Sequence, residues 1–205
     1  MAITTYAELK SSIANWLNRD DLTAVIPDFI ALAESSMNRS LRHWRMEKRS
    51  TATIDSRYSA LPGGFLSAIR FHLDADQTPI ELVSAFALQK KRQERANTSG
   101  RPRYYAVVGG QLEVCPSPDA SYTGELYYYD KFDELSDSNT TNWLLTNYPD
   151  AYLYGALLHA APYLAEDARA ETWAALYQTA IGAINSESDT AKTSGSGLRM
   201  QIGSY

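Results

Sequence analysis

One predicted helix, residues 147–161, is apolar on nearly every side. Pro149 stands in its first turn, Asn147 and Asp150 can cap it, and Pro162 follows its end. Its large side chains are spread around the helix axis rather than along one stripe: Tyr152, Leu153, Tyr154, Leu157 and Leu158. Such a helix needs other elements to cover it on all sides. The sequence therefore predicts a fold built around this central helix.

Amphipathic helices are predicted over residues 5–18, 26–42 and 167–190. Thr5 followed by Glu8 is a capping-box pattern, in which the two side chains bind free amides at a helix start. The first two helices carry one apolar stripe each, and they are expected to pack as a hairpin. The third carries Trp173, Leu176, Tyr177, Ala180, Ile181 and Ile184 on one face.

Between these helices, over residues 47–132, the hydrophobic period becomes strand-like. We expect residues 68–73 and 79–83 to pair, and residues 103–115 to form a hairpin around Gly109-Gly110. Tyr127, Tyr128 and Tyr129 should alternate between the core and the surface. A short helix is predicted over 84–96, and its charged run, Lys90 to Arg95, is interpreted as solvated.

The order of these elements predicts an α+β fold. A helical frame, consisting of an N-terminal helix hairpin and a long C-terminal helix pair, surrounds an inserted antiparallel β-rich region. The predicted domain organisation is a single domain over residues 1–192, followed by an extended C-terminal arm over 193–205.

Composition and the pattern of apolar residues argue against several classes of protein. The formal charge of −5 disfavours a general nucleic-acid binder, which needs a basic surface. A single cysteine, Cys115, leaves no intrachain disulfide, and we expect it at a half-buried strand position. No signal-peptide pattern is visible at the N-terminus, and the apolar segment around 151–165 is too short to cross a membrane. These features predict a soluble protein made in a reducing cytoplasm.

A basic cluster lies between the second helix and the first strand: Arg39, Arg42, His43, Arg45, Lys48 and Arg49. Because Trp44 stands among the cations, the cluster could bind nucleic acid. In an acidic protein, it could equally pair with carboxylates of a neighbouring subunit. A third interpretation is a solvated face with Trp44 turned inward.

No motif of catalysis or cofactor binding is present. The three histidines are scattered, without metal-ligand spacing, and a hydrogen-bonded core imidazole is the expected state of His159. Carboxylate pairs such as Glu125 with Asp130, or Glu166 with Asp167, could in principle serve a hydrolase, but sequence does not give their geometry. Phosphate loops, dinucleotide fingerprints and nucleophile elbows are absent. We therefore expect no enzymatic activity, no cofactor and no metal.

Four segments resemble the head-to-tail adaptor (connector) proteins of tailed bacteriophages, especially short-tailed ones. Residues 58–66 are similar to the family's strand and Pro-led turn, and residues 100–118 to its central hairpin. Residues 125–145 resemble the last strand and the lead-in to the helices, and residues 148–158 resemble the central helix. The order of the segments carries the resemblance more than any one of them does.

The resemblance implies a structural virion protein at the head–tail junction, synthesised in the host cytoplasm. Such adaptors form a ring, commonly of twelve copies, between the portal protein and a downstream tail or nozzle protein. Genomic DNA passes through the ring without specific binding, and no membrane is involved.

The C-terminal arm corresponds to the segment that reaches the portal in such adaptors. Its candidate portal-binding residues are Leu198, Arg199, Met200, Ile202 and Tyr205. Apolar residues this close to the end of the chain favour docking on a partner, although a frayed terminus without a role is the alternative. Two other functions remain open for the chain: a peptidoglycan-cleaving tail accessory protein, and a small cytoplasmic interaction module that forms no ring.

Overall fold

Helices occupy both ends of the sequence and strands its middle, so the predicted α+β class is confirmed. The computed structural model describes residues 3–19, 21–73, 79–164 and 169–194. These residues form two compact units, each described by itself. The helical unit belongs to Met1–Arg45 and Phe132–Tyr205, and the β unit to Met46–Lys131.

Five α-helices are described in the helical unit: α1 (Tyr6–Leu17), α2 (Ile26–Ser40), α4 (Trp143–Asn147), α5 (Pro149–Ala160) and α6 (Ala170–Thr193). The predicted capping box begins α1: the Glu8 amide donates to Thr5 Oγ1 at 3.3 Å, and the Thr5 amide donates to Glu8 Oε2 at 3.0 Å. The α1 helix ends at Asn18, whose left-handed backbone (φ 53°) stops the helix.

The α5 helix is the centre of the helical unit, and it contacts α1, α2 and α6. Its buried residues surround the axis: Ala151, Tyr152, Leu153, Gly155, Ala156, Leu157 and Ala160. Gly155 allows this close packing, because a Cβ there would lie 3.0 Å from the Tyr177 ring and 3.1 Å from Ala33 Cβ. The central position predicted from the apolar residues on all sides of this helix is therefore confirmed.

The predicted cap of this central helix is wrong. The α5 helix begins at Pro149 without a side-chain cap, and residues 143–147 form the separate helix α4. Asn142 caps α4, since its Oδ1 accepts from the Leu145 amide at 2.8 Å. Its Nδ2 donates to the carbonyl of Asp133 at 2.8 Å. Asn142 is thus fixed by a residue distant from the helix, which local capping rules do not anticipate.

The β unit contains seven strands and the helix α3 (Ala85–Glu94) among its described residues. The strands are β1 (Glu47–Ile54), β2 (Tyr58–Ala60), β3 (Phe65–Leu73), β4 (Glu81–Leu82), β5 (Tyr104–Val108), β6 (Gln111–Cys115) and β7 (Tyr122–Asp130). One sheet has the order β1-β7-β3 and the other β2-β6-β5-β4. All pairs are antiparallel except β4 with β5.

The two sheets bury a common apolar core, which consists of Ile54, Phe71, Leu73, Ile80, Tyr105, Leu112, Val114, Leu126 and Tyr128. The predicted turn joins β5 to β6, with Gly109 (φ 58°) and Gly110 (φ 77°) in the left-handed region. Along β7, Tyr128 is buried while Tyr127 and Tyr129 are only partly buried, as the alternation predicts.

Two expectations about the β unit need correction. Residues 79–83 do not pair with 68–73 as a hairpin: a single bridge joins His72 to Pro79, and β4 then pairs in parallel with β5. Ile80, which lies between this bridge and β4, is buried in the core shared by the two sheets. Cys115 is fully buried rather than half-buried, since it packs against Leu88 of α3.

Candidate interaction surfaces

The arginines of the predicted basic cluster that lie in the helical unit bind that unit's own groups. Arg39 donates to Ser35 Oγ at 2.9 Å. Arg42 Nη1 donates to the carbonyls of Leu41 and Asn38, at 2.5 and 3.2 Å. A cation that binds the last carbonyls of α2 opposes the negative end of the helix dipole. Arg42 therefore stabilises the helix end.

Two aromatic residues next to Arg42 have opposite environments. His43 is 1% exposed and stacks on Trp143, with 4.9 Å between the ring centroids. Trp44 is 43% exposed, so the predicted solvated face with this ring turned inward is wrong. The guanidinium of Arg45 lies 5.1 Å from the Trp44 ring centroid and 6.0 Å from that of Trp143. The histidine, not the tryptophan, fills the inward position.

The cations of the cluster that lie in the β unit form ion pairs with β7. Lys48 Nζ is 2.5 Å from Asp130 Oδ2, and Arg49 Nη1 is 3.2 Å from Glu125 Oε1. Both carboxylates are largely buried, whereas the two cations are more than half exposed. Hydrogen bonding to Tyr127 is the main cause that holds the pKa of Glu125 below its usual value, and the charge of Arg49 adds to it against the opposing effect of desolvation. Much of the positive charge here is therefore balanced within the unit.

The helical unit contains a buried carboxyl that the sequence analysis did not single out, Glu34. Its Oε1 accepts from the Leu135 amide and from the Tyr152 hydroxyl, both at 2.8 Å. Burial raises the pKa of Glu34 to about 7, against the opposing effect of these hydrogen bonds. Its position in the α2 stripe, four residues after Ile30 and three before Met37, is the signal that could have revealed it. Glu34 holds the segment after β7 against α2.

Arg92 corrects the interpretation of Lys90 to Arg95 as a solvated run. It is 5% exposed, and its Nη2 donates to Glu113 Oε1 at 3.1 Å and to the Val114 carbonyl at 2.8 Å. Its Nη1 donates to Ser117 Oγ at 3.0 Å. Arg57, whose side chain is partly exposed, binds the same carboxylate, with 2.6 Å between its Nη2 and Glu113 Oε1. Arg92 thus fastens α3 to β6.

An exposed apolar surface, which the sequence analysis missed, adjoins α3. Phe86 in the first turn is 83% exposed, Leu82 is 53% exposed and Val107 is 41% exposed. Leu82 and Val107 line an open groove together with Phe65, Leu66, Ala68 and Val83, and Ala85, the residue before Phe86, lines it as well. The sequence does contain a signal: Phe86 stands two positions before Leu88, the buried apolar residue of α3, and therefore on the opposite side of the helix. We call Leu82, Phe86 and Val107 the α3 apolar surface.

The carboxylates considered as catalytic pairs are placed as follows. Glu125 and Asp130 both lie on β7, and each forms an ion pair with a different cation of β1. Glu166 and Asp167 fall outside the described residues. Over residues 3–19, 21–73, 79–164 and 169–194, no group of three His, Cys, Asp or Glu side chains is arranged to hold a metal ion. His159 is half-buried, and desolvation, with the Arg39 charge as a smaller cause, lowers its pKa.

The proposed portal-binding residues Leu198, Arg199, Met200, Ile202 and Tyr205 lie outside the described residues. Among the helices that are described, none combines the length and the apolar character needed to cross a bilayer.

A comparison with protein families gives a match. A family model described as SU10 adaptor protein matches residues 4–201, which is nearly the whole chain. Among curated proteins no match is found.

Proposed function

Because the chain belongs to the SU10 adaptor protein family, and is thus a structural adaptor of a bacteriophage, we propose that its copies form a ring between the portal protein and the tail. The family match over residues 4–201 is the observation that carries the proposal. The ring, commonly of twelve copies, extends the DNA channel and seats a downstream tail or nozzle protein. The phage is short-tailed in this proposal.

Assembly in this proposal uses two kinds of contact. Each copy meets the next through two different faces, and the rotation between copies closes the ring. Residues 193–205 serve as the portal-binding arm, through Leu198, Arg199, Met200, Ile202 and Tyr205. Thr193, the first residue of this segment, is the last residue of α6.

DNA passes through the ring without being bound. The net charge of −5 supports this, because an acidic conduit repels phosphate groups. Purified rings are expected to leave a linear duplex unshifted in a native gel at physiological salt. A retarded band would contradict this part of the proposal.

The direct test mixes the purified protein with its portal protein and measures the mass of the product. A ring-sized increase in mass, with the ring seen on the portal in micrographs, is the expected result. A chain that stays monomeric beside the portal would instead favour the small interaction module. A zymogram on peptidoglycan tests the tail accessory protein, for which clearing would be the signature.

A further inference from the structure

We propose that the α3 apolar surface is one side of the contact between neighbouring copies, and that it binds the acidic loop 133–137 of the next copy. This inference rests on the proposed ring, for which it names the two faces that meet.

The α3 apolar surface is exposed but held in place. Ser84 caps α3, because its hydroxyl oxygen accepts from the Ala87 amide at 3.2 Å. Buried Arg92 fastens the other end of α3 to Glu113. Phe86 therefore projects from a fixed helix beside a preformed groove, and it loses little conformational freedom when a partner covers it. An exposed aromatic anchor with an adjacent groove is typical of the centre of a protein interface.

The border of this surface is basic. Residues 81–103 contain two exposed carboxylates, Glu81 and Glu94, and five cations that are at least partly exposed: Lys90, Lys91, Arg95, Arg101 and Arg103. Lys90 lies four positions after Phe86 and so on the same face of α3, and both Lys90 and Arg95 are exposed. Lys91 extends over the Tyr104 ring, 3.9 Å from its centroid. A partner that covers Phe86 therefore meets positive charge around it, and an acidic surface is the complement.

The chain's own helical unit supplies such a surface. Its ranges, 1–45 and 132–205, contain fourteen acidic and eight basic residues. Asp133, Glu134 and Asp137 are exposed and stand within five positions of one another. Lys10 pairs with Asp137 at 2.9 Å. Because every copy carries both this loop and the α3 surface, one kind of contact can repeat around a ring.

The acidic loop 133–137 is also fixed by hydrogen bonds. The Leu135 amide donates to Glu34, and Asn142 donates to the Asp133 carbonyl. Asn139 Nδ2 donates to the Glu134 carbonyl at 2.7 Å. These bonds use the backbone and leave the carboxylates of Asp133 and Glu134 directed to solvent or a partner. Two ordered surfaces of opposite charge associate with a small entropic cost.

A polyanion is the other class of partner that a basic surface could bind. DNA offers a charged backbone to cations, but contacts with phosphate groups do not require an exposed aromatic residue such as Phe86 among those cations. An apolar centre with a charged border fits a protein partner better. DNA binding is therefore kept as an outcome of the test.

The first experiment measures ring assembly on the purified portal protein by sedimentation. The L82A/F86A variant is expected to raise the concentration for half-assembly by about tenfold or more. V108A is the matched control, because Val108 is also exposed but lies outside the α3 apolar surface, and it is expected to assemble like the wild type. L82A/F86A rings that form as readily as V108A rings would overturn the inference.

The second experiment exchanges the charges. K90E/R95E and D133K/E134K are each expected to weaken assembly, and the chain that carries all four substitutions is expected to recover it. If these residues contributed only to folding, the chain with all four substitutions would not recover assembly. The inference is overturned if the chain with all four substitutions assembles no better than the chains with either pair. It is also overturned if K90E/R95E rings form normally but retain less DNA than wild-type rings. If wild-type copies never form a ring, the proposed function itself is wrong. If wild-type copies form a ring and the variants assemble equally well, only the proposed contact is wrong.

Discussion

At the scale of single residues, Glu34 and Gly155 show how packing in the helical unit limits which residue a position accepts. Glu34 is a carboxyl inside an apolar stripe, and it is tolerated because the Leu135 amide and the Tyr152 hydroxyl both bind it. Gly155 is a residue without a side chain where two other helices approach α5. Both positions have measurable consequences for stability.

The environment of Glu34 predicts a stability that falls as the pH rises. Its folded pKa is about 7, above the value near 4.5 of an exposed glutamate. The favourable contribution is complete below pH 4.5 and is lost as the pH rises to and beyond 7, on the order of 3 kcal/mol in total. We expect the free energy of unfolding of the wild type, measured against that of E34Q, to fall over this range. A difference between the two proteins that does not change with pH would contradict the prediction.

Gly155 is expected to resist substitution although it lies in a helix. G155A gains helix propensity of about 1 kcal/mol, but its Cβ presses on Tyr177 and Ala33, so we expect a net loss of about 1–3 kcal/mol. Gly182 in α6 is the control, because nothing lies within 4 Å of a Cβ built there. G182A is therefore expected to stabilise by up to about 1 kcal/mol. Urea unfolding measures both, and equal effects would contradict the packing argument.

At the scale of elements, α3 shows how a helix without an apolar stripe is held on a sheet. One buried apolar residue, Leu88, and one buried cation, Arg92, make its main contacts. The guanidinium group of Arg92 binds a carboxylate, a carbonyl and a hydroxyl at once. This polar attachment leaves the opposite face of α3, with Phe86, available to a partner.

Removing the Arg92 guanidinium is expected to destabilise the β unit. R92A leaves buried Glu113 with Arg57 as its remaining cation, so we expect a loss of about 2–4 kcal/mol on urea unfolding. R92K is also expected to lose stability, because a lysine ammonium group does not reproduce the planar guanidinium group, which donates to several acceptors at once. K90A changes an exposed cation of the same helix and is expected to stay within about 0.5 kcal/mol of the wild type. If R92A unfolds at the urea concentration of K90A, the attachment through Arg92 is wrong.

At the scale of the whole molecule, membership in the adaptor family gives meaning to features that are unremarkable in a lone chain. Exposed Phe86 and the run Asp133-Glu134 give no advantage to an isolated copy, whereas the proposed contact between copies uses both. Charge is divided unequally along the sequence, with the acidic excess in the ranges of the helical unit. A chain of this kind is expected to be completed by assembly.

The proposed arm gives a prediction at this scale. Deleting residues 195–205 keeps α6 to its last residue, Thr193, whose hydroxyl donates to the Asp189 carbonyl. The truncated protein is expected to unfold at the same temperature as the full chain but to bind the portal protein at least about tenfold more weakly. Equal portal affinity of the two proteins, measured by sedimentation, would show that this segment is not the arm.

The sequence by itself determined the features that depend on neighbours along the chain. The capping box of Thr5 and Glu8, the two-glycine turn, the alternation of β7 and the central position of α5 follow from spacing, since spacing fixes which side chains share a face. The adaptor resemblance, which depended on the order of segments, is confirmed by the family match, without the restriction to short-tailed phages. The C-terminal arm stays a prediction.

Only the tertiary structure decided which polar side chains are buried and which apolar ones are left exposed. His43 rather than Trp44 is buried, Arg92 is buried and binds Glu113 although it stands in a charged run, and Phe86 is exposed. These outcomes depend on the element that happens to pack against each face, and that element is distant in the sequence. Local periodicity can indicate which face of a helix carries Glu34 or Phe86, but it does not indicate which element packs against that face. The energy of burying a charge or exposing a ring is set by that element.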